Sequence, residues 1–232
     1  MKNGGFPGKD VPMRIIYHGH SEFSLITGTG AIVLTDPCDP AVGYGNGAAV
    51  CQAVTVSHGH HDHNWTQKCP AEAVVVDQPG TCSPLPDVKV TMYETFHDGD
   101  GGAKRGKNLM ALVEMDGLRI LHCGDLGHVP AADLVAGIGS VDVLLVPVGG
   151  FYTIDAAQAA ETAQLLNARV VIPMHYKTEV NADWPIAGVD AFLTEMNASM
   201  DEKAVMPTVR IAKGDLSEQK RICVLEIKPH QV

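Results

Sequence analysis

The chain has 232 residues, of which 45% are hydrophobic and 19% charged, and its formal net charge is −10. That is enough chain to bury a substantial core in one large domain, and the negative balance disfavours a nucleic-acid backbone or an anionic membrane surface as partner. No apolar run approaches the roughly 20 residues that span a bilayer.

Residues 1–12 contain Gly and Lys but no apolar stretch of the kind a secretory signal needs. They read as an appended tail, and residues 13–228 are expected to form a single domain. The six cysteines are widely spaced, with no C-x-x-C pair. Reduced thiols and a cytoplasmic setting follow from that pattern.

In chain order, short β-type runs are expected at 14–17, 22–27 and 31–35, separated by Gly-containing turns. Asp36-Pro37 ends the third, and a Gly-rich loop follows. Strands are expected again at 54–57, 73–76, 88–93, 109–115 and 118–122, with Asp116-Gly117 as a two-residue hairpin turn. Beyond that point the pattern alternates. Helices are expected at 130–136, 155–168 and 189–198, interleaved with buried-type strands at 141–148 and 169–173 and closing strands at 205–211 and 222–227. Strands first, then strand–helix alternation, point to an α/β fold.

The most informative stretch is His58-Gly59-His60-His61-Asp62-His63, directly after the apolar run 54–57. Imidazole nitrogen and carboxylate oxygen are ligands that borderline-soft divalent metals prefer. The stretch is incomplete as a two-metal site, and three further residues are candidates to complete it. His97, Asp125 and His175 each sit just past the carboxyl end of an expected strand, as the motif does. His97 has rivals in its neighbours Asp98 and Asp100.

The order H-x-H-x-D-H, then His, Asp and His, resembles the metallo-β-lactamase superfamily along residues 13–228. Gly19-His20-Ser21, Pro147-Val148-Gly149-Gly150 and Pro173-Met174-His175-Tyr176 are similar to its compact bacterial branch, which includes the ascorbate-6-phosphate lactonase type. The resemblance implies a four-layer αβ/βα sandwich, two mixed sheets with helices on the outer faces. It implies that His58, His60 and His97 hold one metal and Asp62, His63 and His175 a second, with Asp125 bridging. The ions would be two divalent metals, zinc first, with manganese or iron also compatible. A hydroxide between them would attack, because metal binding lowers the pKa of water towards about 7. Asp62 would be catalytic, orienting that hydroxide or shuttling its proton.

Around these positions, Asp36 is placed either to accept the second N–H of a ligand imidazole or simply to turn the chain before Pro37. His20 is expected near the metals. His61, His122 and His128 are expected not to be ligands, His18 to be structural and His230 to lie in a solvated tail. Arg105, Tyr152 and Lys177 are candidate substrate contacts. The stretch 101–108 lacks the order of a phosphate-cradling loop and reads as a flexible loop beside the site.

The expected activity is hydrolysis of a small-molecule ester, lactone, amide or phosphoester by a dinuclear centre. His60 stands where the di-iron flavoprotein reductases carry Glu. The short interval from Asp125 to His175 leaves no room for the inserted domain of nucleic-acid-processing relatives. Two alternatives are a mononuclear iron dioxygenase acting on a persulfide and a non-catalytic metal-binding or sensing module. A homo-oligomer is compatible with the sequence.

Overall fold

The computed structural model describes residues 11–45, 47–199 and 201–230. Most of the expected N-terminal tail, residues 1–10, lies outside them. The first strands are β1 (Met13–Gly19), β2 (Glu22–Ile26), β3 (Ile32–Thr35), β4 (Ala53–Thr55) and β5 (Val74–Val76). Then come β6 (Gly80–Leu85), β7 (Val88–Phe96), β8 (Lys107–Met115) and β9 (Leu118–His122). The second half holds α1 (Ala132–Ile138), β10 (Val143–Pro147), α2 (Ala156–Leu165), β11 (Val170–Met174), α3 (Val189–Glu195), β12 (Val209–Ile211) and β13 (Arg221–Ile222). No helix among the described residues is long and apolar enough to cross a membrane.

These strands form two mixed sheets, ordered β12-β1-β2-β3-β4-β5 and β13-β11-β10-β9-β8-β7-β6. The inner faces share one core, with Ile15, Phe23 and Leu25 from the first sheet and Leu112, Ile120 and Leu145 from the second. β10 is buried along its whole length, as a central parallel strand flanked by β9 and β11 should be. α2 opens on a capping box, in which Asp155 accepts from the Gln158 amide at 2.9 Å and Gln158 accepts from the Asp155 amide at 3.1 Å. It buries Ala159, Ala160, Thr162 and Ala163. All three helices follow strands of the second sheet. Over the first sheet, a small cluster of Leu34, Ala49, Cys51, Val54 and Val56 is covered by coil and single 3-10 turns, because Pro37, Pro40, Gly43 and Gly45 keep that connection from becoming helical.

The sheets differ from the sequence reading in three places. β6 is an exposed edge strand containing Pro84, with no alternation to betray it. The run 205–211 keeps only its last three residues as strand, and the run 222–227 contributes only the short β13 before crossing back to the first sheet. There the Lys228 amide donates to the Tyr17 carbonyl at 2.7 Å. His230 is therefore not in a solvated tail. Its Nε2 lies 2.8 Å from Glu22, and its ring stacks on His18 with centroids 3.9 Å apart. His18 is structural, with its two ring nitrogens 2.6 Å from the Lys228 carbonyl and 2.8 Å from Ser24 Oγ.

Glu22 anchors this corner. Its buried carboxylate also accepts from Lys68 Nζ at 2.8 Å and from the Cys38 amide at 2.9 Å. Burial pushes its pKa up, but the bonds from His230 and Lys68 outweigh burial and hold it below the ordinary value of 4.5. A carboxyl held below its unfolded pKa contributes stability above that value and loses it as the pH falls through the folded one. Glu22→Gln is expected to cost roughly 3–5 kcal/mol at neutral pH, the penalty for leaving a buried partner charge unpaired. Urea unfolding should find the gap to wild type narrowing as the pH drops below the carboxylate range, and a gap independent of pH would refute this role.

Candidate metal centre

Strand direction assembles the site. β1 and β3 flank β2 in antiparallel pairs and so run the same way, and β4 is parallel to β3. In the second sheet β9, β10 and β11 are parallel, and β7, two antiparallel steps from β9, runs with them. The segments that leave the carboxyl ends of these seven strands carry His20, Asp36, the 58–63 motif, His97, Asp125, the 149–152 turn and His175. Ser57 ties the two sheets at this edge, its carbonyl accepting from the Leu109 amide at 2.9 Å.

Asp125 lies at the centre and is 2% exposed. Its Oδ1 is 3.2 Å from His63 Nε2, and its Oδ2 is 3.1 Å from His97 Nε2 and 3.4 Å from His175 Nε2. Oδ1 is buried without a hydrogen-bond partner. His58 Nε2 and His60 Nδ1 are 3.0 Å apart, and with His97 they offer three nitrogens within 4.8 Å of one another. His58, His63 and Asp125 form a second such group, and His20, His63 and His175 a third. This set of imidazole nitrogens and carboxylate oxygens suits zinc, manganese or iron. A buried carboxylate oxygen with unfilled acceptor capacity, facing imidazole nitrogens, fits a cation held between them.

Neighbouring groups orient the rings. Asp36 accepts from His63 Nδ1 at 2.7 Å, from the Ser57 amide at 2.7 Å and from the Ser57 hydroxyl at 2.5 Å. With Nδ1 committed to Asp36, His63 turns Nε2 inward, as carboxylate–histidine pairs do around metals; burial pushes its pKa down, but Asp125 and Asp36 outweigh burial and hold it well above the ordinary value. The Ser57 hydroxyl gives its proton to Asp36, so it accepts from His58 Nδ1–H at 2.9 Å. Asn108, fully buried, accepts from the Asp125 amide at 2.9 Å and donates to Thr95 Oγ1 at 2.8 Å and to the Cys123 carbonyl at 2.9 Å. Burial pushes the His20 imidazole down to about 4 and that of His58 to about 3. Both are therefore neutral at neutral pH, with a lone pair for a cation.

The backbone is bent to order here. His20, Asp36 and His175 have positive φ of 54°, 37° and 50°. Asp and His visit this region more readily than most residues, yet the conformation still costs of order 1–3 kcal/mol per residue. Close approach is equally demanding at Gly127, where a Cβ would overlap the His97 and Asp98 backbone.

The residues from 14 to 175 match the β-lactamase superfamily domain. The chain belongs to that superfamily. A metal-dependent hydrolase from Nitratidesulfovibrio vulgaris strain DP4 is 31% identical over 71% of this chain and 80% of its own. Another, from Methanoregula boonei, is 29% identical over 82% of this chain and 92% of its own. Among solved structures, a chain from Thermotoga maritima, assigned to the zinc-dependent hydrolases of the superfamily, shares 34% identity and a TM-score of 0.72, covering 93% of this chain and 100% of that one. A metallo-hydrolase from Ignicoccus hospitalis, at 21% identity and a TM-score of 0.57 over 80% of this chain and 91% of its own, shares the fold.

The site of this superfamily member opens into a cavity of about 370 Å³ lined by His60, His61, Asp62, His97, Asp125, His175, Arg105, Tyr152 and Trp184. A larger groove of about 950 Å³, bordered by Met13, Asp116 and Lys213, lies at the opposite ends of the strands, away from this chemistry. Asp98 is no rival to His97: its carboxylate accepts four backbone amides, of Asp100, Gly102, Lys104 and Arg105, at 2.7–2.9 Å. Asp100 is spent on Lys104 at 2.5 Å. The turn that Asp98 closes puts the Arg105 guanidinium 5.6 Å from the Tyr152 ring centroid and 5.9 Å from that of Phe151. His61 points outward, its side chain 66% exposed. His128 lies against Phe96, outside the cavity. His122 is buried beneath the site, its Nε2 2.8 Å from the Ser21 carbonyl. Lys177 is exposed and does not line the cavity. Cys123 is fully buried, and burial pushes its thiol pKa up, which leaves it inert.

Trp184, which lines the cavity, and Asn108, which bonds the Asp125 amide, are positions that the sequence did not single out. Trp184 packs edge-on to His20 at 5.5 Å and closes one wall. A lone Trp shortly after the last candidate histidine was the available signal. Gly127→Ala is expected to push the His97 and Asp125 loops apart, costing about 1–3 kcal/mol and weakening zinc binding. Urea unfolding and zinc titration against a competing chelator dye test this together, and wild-type behaviour in both would dismiss the close-approach role.

Proposed function

We propose that the chain is a metal-dependent hydrolase working with two divalent ions on an anionic small-molecule ester, lactone or phosphoester. His58, His60 and His97 would hold one ion, and Asp62, His63 and His175 the other, with Asp125 between them. One observation carries this reading: the buried Asp125 carboxylate is ringed at 3.1–3.4 Å by imidazole nitrogens from three separate strand ends. When bound, the ions supply a water of lowered pKa and a Lewis acid for the substrate oxygen. Zinc is the first expectation, and manganese or iron suits the same donors.

The chain's own residues supply the rest. Asp62 faces the cavity and is partly exposed. Burial opposes its ionisation, but the neighbouring His20 and His63 outweigh burial and hold its pKa below the ordinary carboxylate value. It is therefore ionised throughout the neutral range and suited to accept a hydrogen bond from the attacking water, orienting it rather than storing its proton. Arg105 sits at the cavity lip with its guanidinium beside aromatic rings, a placement that leaves its N–H fork for a carboxylate or phosphate on the substrate. Tyr152, beside Arg105, packs edge-on to Trp184 at 5.9 Å, and the two rings line the cavity and limit bulk water.

The deciding experiment joins metal analysis of the purified chain to a panel of lactones, sugar phosphates and phosphodiesters. Two ions per chain are expected, with turnover lost to a chelator and restored by zinc or manganese. Turnover indifferent to the chelator would reject the assignment. Asp62→Asn is expected to retain the fold and lower kcat about 10²–10⁴-fold, and a wild-type kcat would remove its orienting role. Arg105→Gln is expected to raise KM for anionic substrates about tenfold or more, the loss of one charge-assisted contact, with kcat changed far less. Equal KM values for the two proteins would show that the substrate's charge is read elsewhere.

A further inference from the structure

We infer that His20 is itself a metal ligand, an eighth protein group completing the second ion position, an inference that rests on the two-ion reading above. His20 ends the β1–β2 hairpin and is wholly buried. Its Nε2 lies 3.1 Å from Asp62 Oδ2 and 3.2 Å from His63 Nε2. With bonds of roughly 2.0–2.2 Å, neighbouring ligand atoms around a tetrahedral or octahedral ion stand roughly 2.8–3.6 Å apart. Both distances from His20 fall in that window. Asp125 meets His63 through Oδ1 at 3.2 Å and His175 through Oδ2 at 3.4 Å, while Asp62 Oδ2 stands 3.9 Å from His63 Nε2. The two spacings of His20 are those of edges of a coordination polyhedron, and its Nε2 falls in one group of close nitrogens with His63 and His175.

The alternative is that His20 only steadies Asp62 through an N–H bond. The surroundings favour ligation. His63 Nδ1 is engaged by Asp36, so Nε2 is the ring nitrogen that it presents to His20. Two imidazole nitrogens facing one another at this distance, beside a carboxylate oxygen, gain most from a shared cation. The chain also holds His20 firmly. The residue keeps a positive φ of 54°, and its carbonyl accepts from the His175 amide at 2.9 Å and the Tyr17 hydroxyl at 2.9 Å. Trp184 stacks edge-on against the ring. Strain of this kind persists where the surroundings fix a side chain for a purpose.

The test loads wild type, His20→Asn and His20→Gly with Zn²⁺ and measures ion content and affinity against a competing chelator. Asn and Gly both tolerate the backbone conformation, and circular dichroism checks the fold. Wild type is expected to hold two ions. Each variant is expected to keep one and lose affinity for the second by more than the roughly 10–100-fold that removal of an outer hydrogen-bond partner costs. A loss within or below that range assigns His20 to steadying Asp62 and overturns the inference alone. Wild type binding a single ion overturns the two-ion reading, and this inference with it. Wild-type chain carrying nitrogen-labelled histidine and an NMR-active cadmium isotope supplies a readout without any variant. A one-bond coupling from cadmium to His20 Nε2 is expected, and its absence in a chain loaded with two ions overturns the proposal.

Discussion

A carboxylate taken out of water governs this molecule. Asp125 is almost completely buried where the two sheets meet, and a lone buried anion is among the costliest things a fold can contain. Its neighbours are arranged around that cost. Asn108 fixes its backbone, and imidazoles from both sheets close on its two oxygens. Burial alone would drive its proton on, yet the facing His175 and His63 hold its pKa well below the usual value. The sheets could pack without this group, but the strand ends would then have no reason to converge so tightly.

The same economy explains where the chain is regular and where it is not. β10 and β11 are uniformly apolar and buried, with ordinary parallel ladders. Positive φ occurs in ordinary turns at Asp87, Asp116, Asn167 and Asn197, but the ends of the strands that carry chemistry also have it, at His20, Asp36, Phe151 and His175, and a glycine stands at 127 where no side chain fits. The core supplies the stability against which such strained positions are held, as sites built on rigid elements require.

Much of this was legible in the sequence because the motif is local and the strands are strongly patterned. The order of apolar runs located most strands of both sheets, and the position of each histidine or aspartate just past a run was enough to bring the candidates together. What stayed hidden depends on how loops turn. His97, Asp98 and Asp100 are alike on paper, and only the four amides folded around Asp98 remove it from contention. Arg105 and Lys177 are equally cationic; the turn closed by Asp98 brings one to the cavity, while the chain after His175 sends the other outward. Asn108 looked like an ordinary strand opening, since nothing local signals a bond to a residue 17 positions on. His230 looked like tail because its partner, Glu22, lies 208 positions away.

That last pair bears on the order in which the molecule can be built. The hairpin that presents His20 is synthesised well before the segment around residue 230, and the carboxylate beside it stays without one of its partners until that segment has emerged and crossed back. Contacts of such long separation form late and slowly. The frame of the first sheet beside the histidine cluster therefore waits for that segment, and nascent forms would present the cluster in an unfinished frame. Completion of the corner beside the histidine cluster is then tied to a segment 208 positions beyond Glu22.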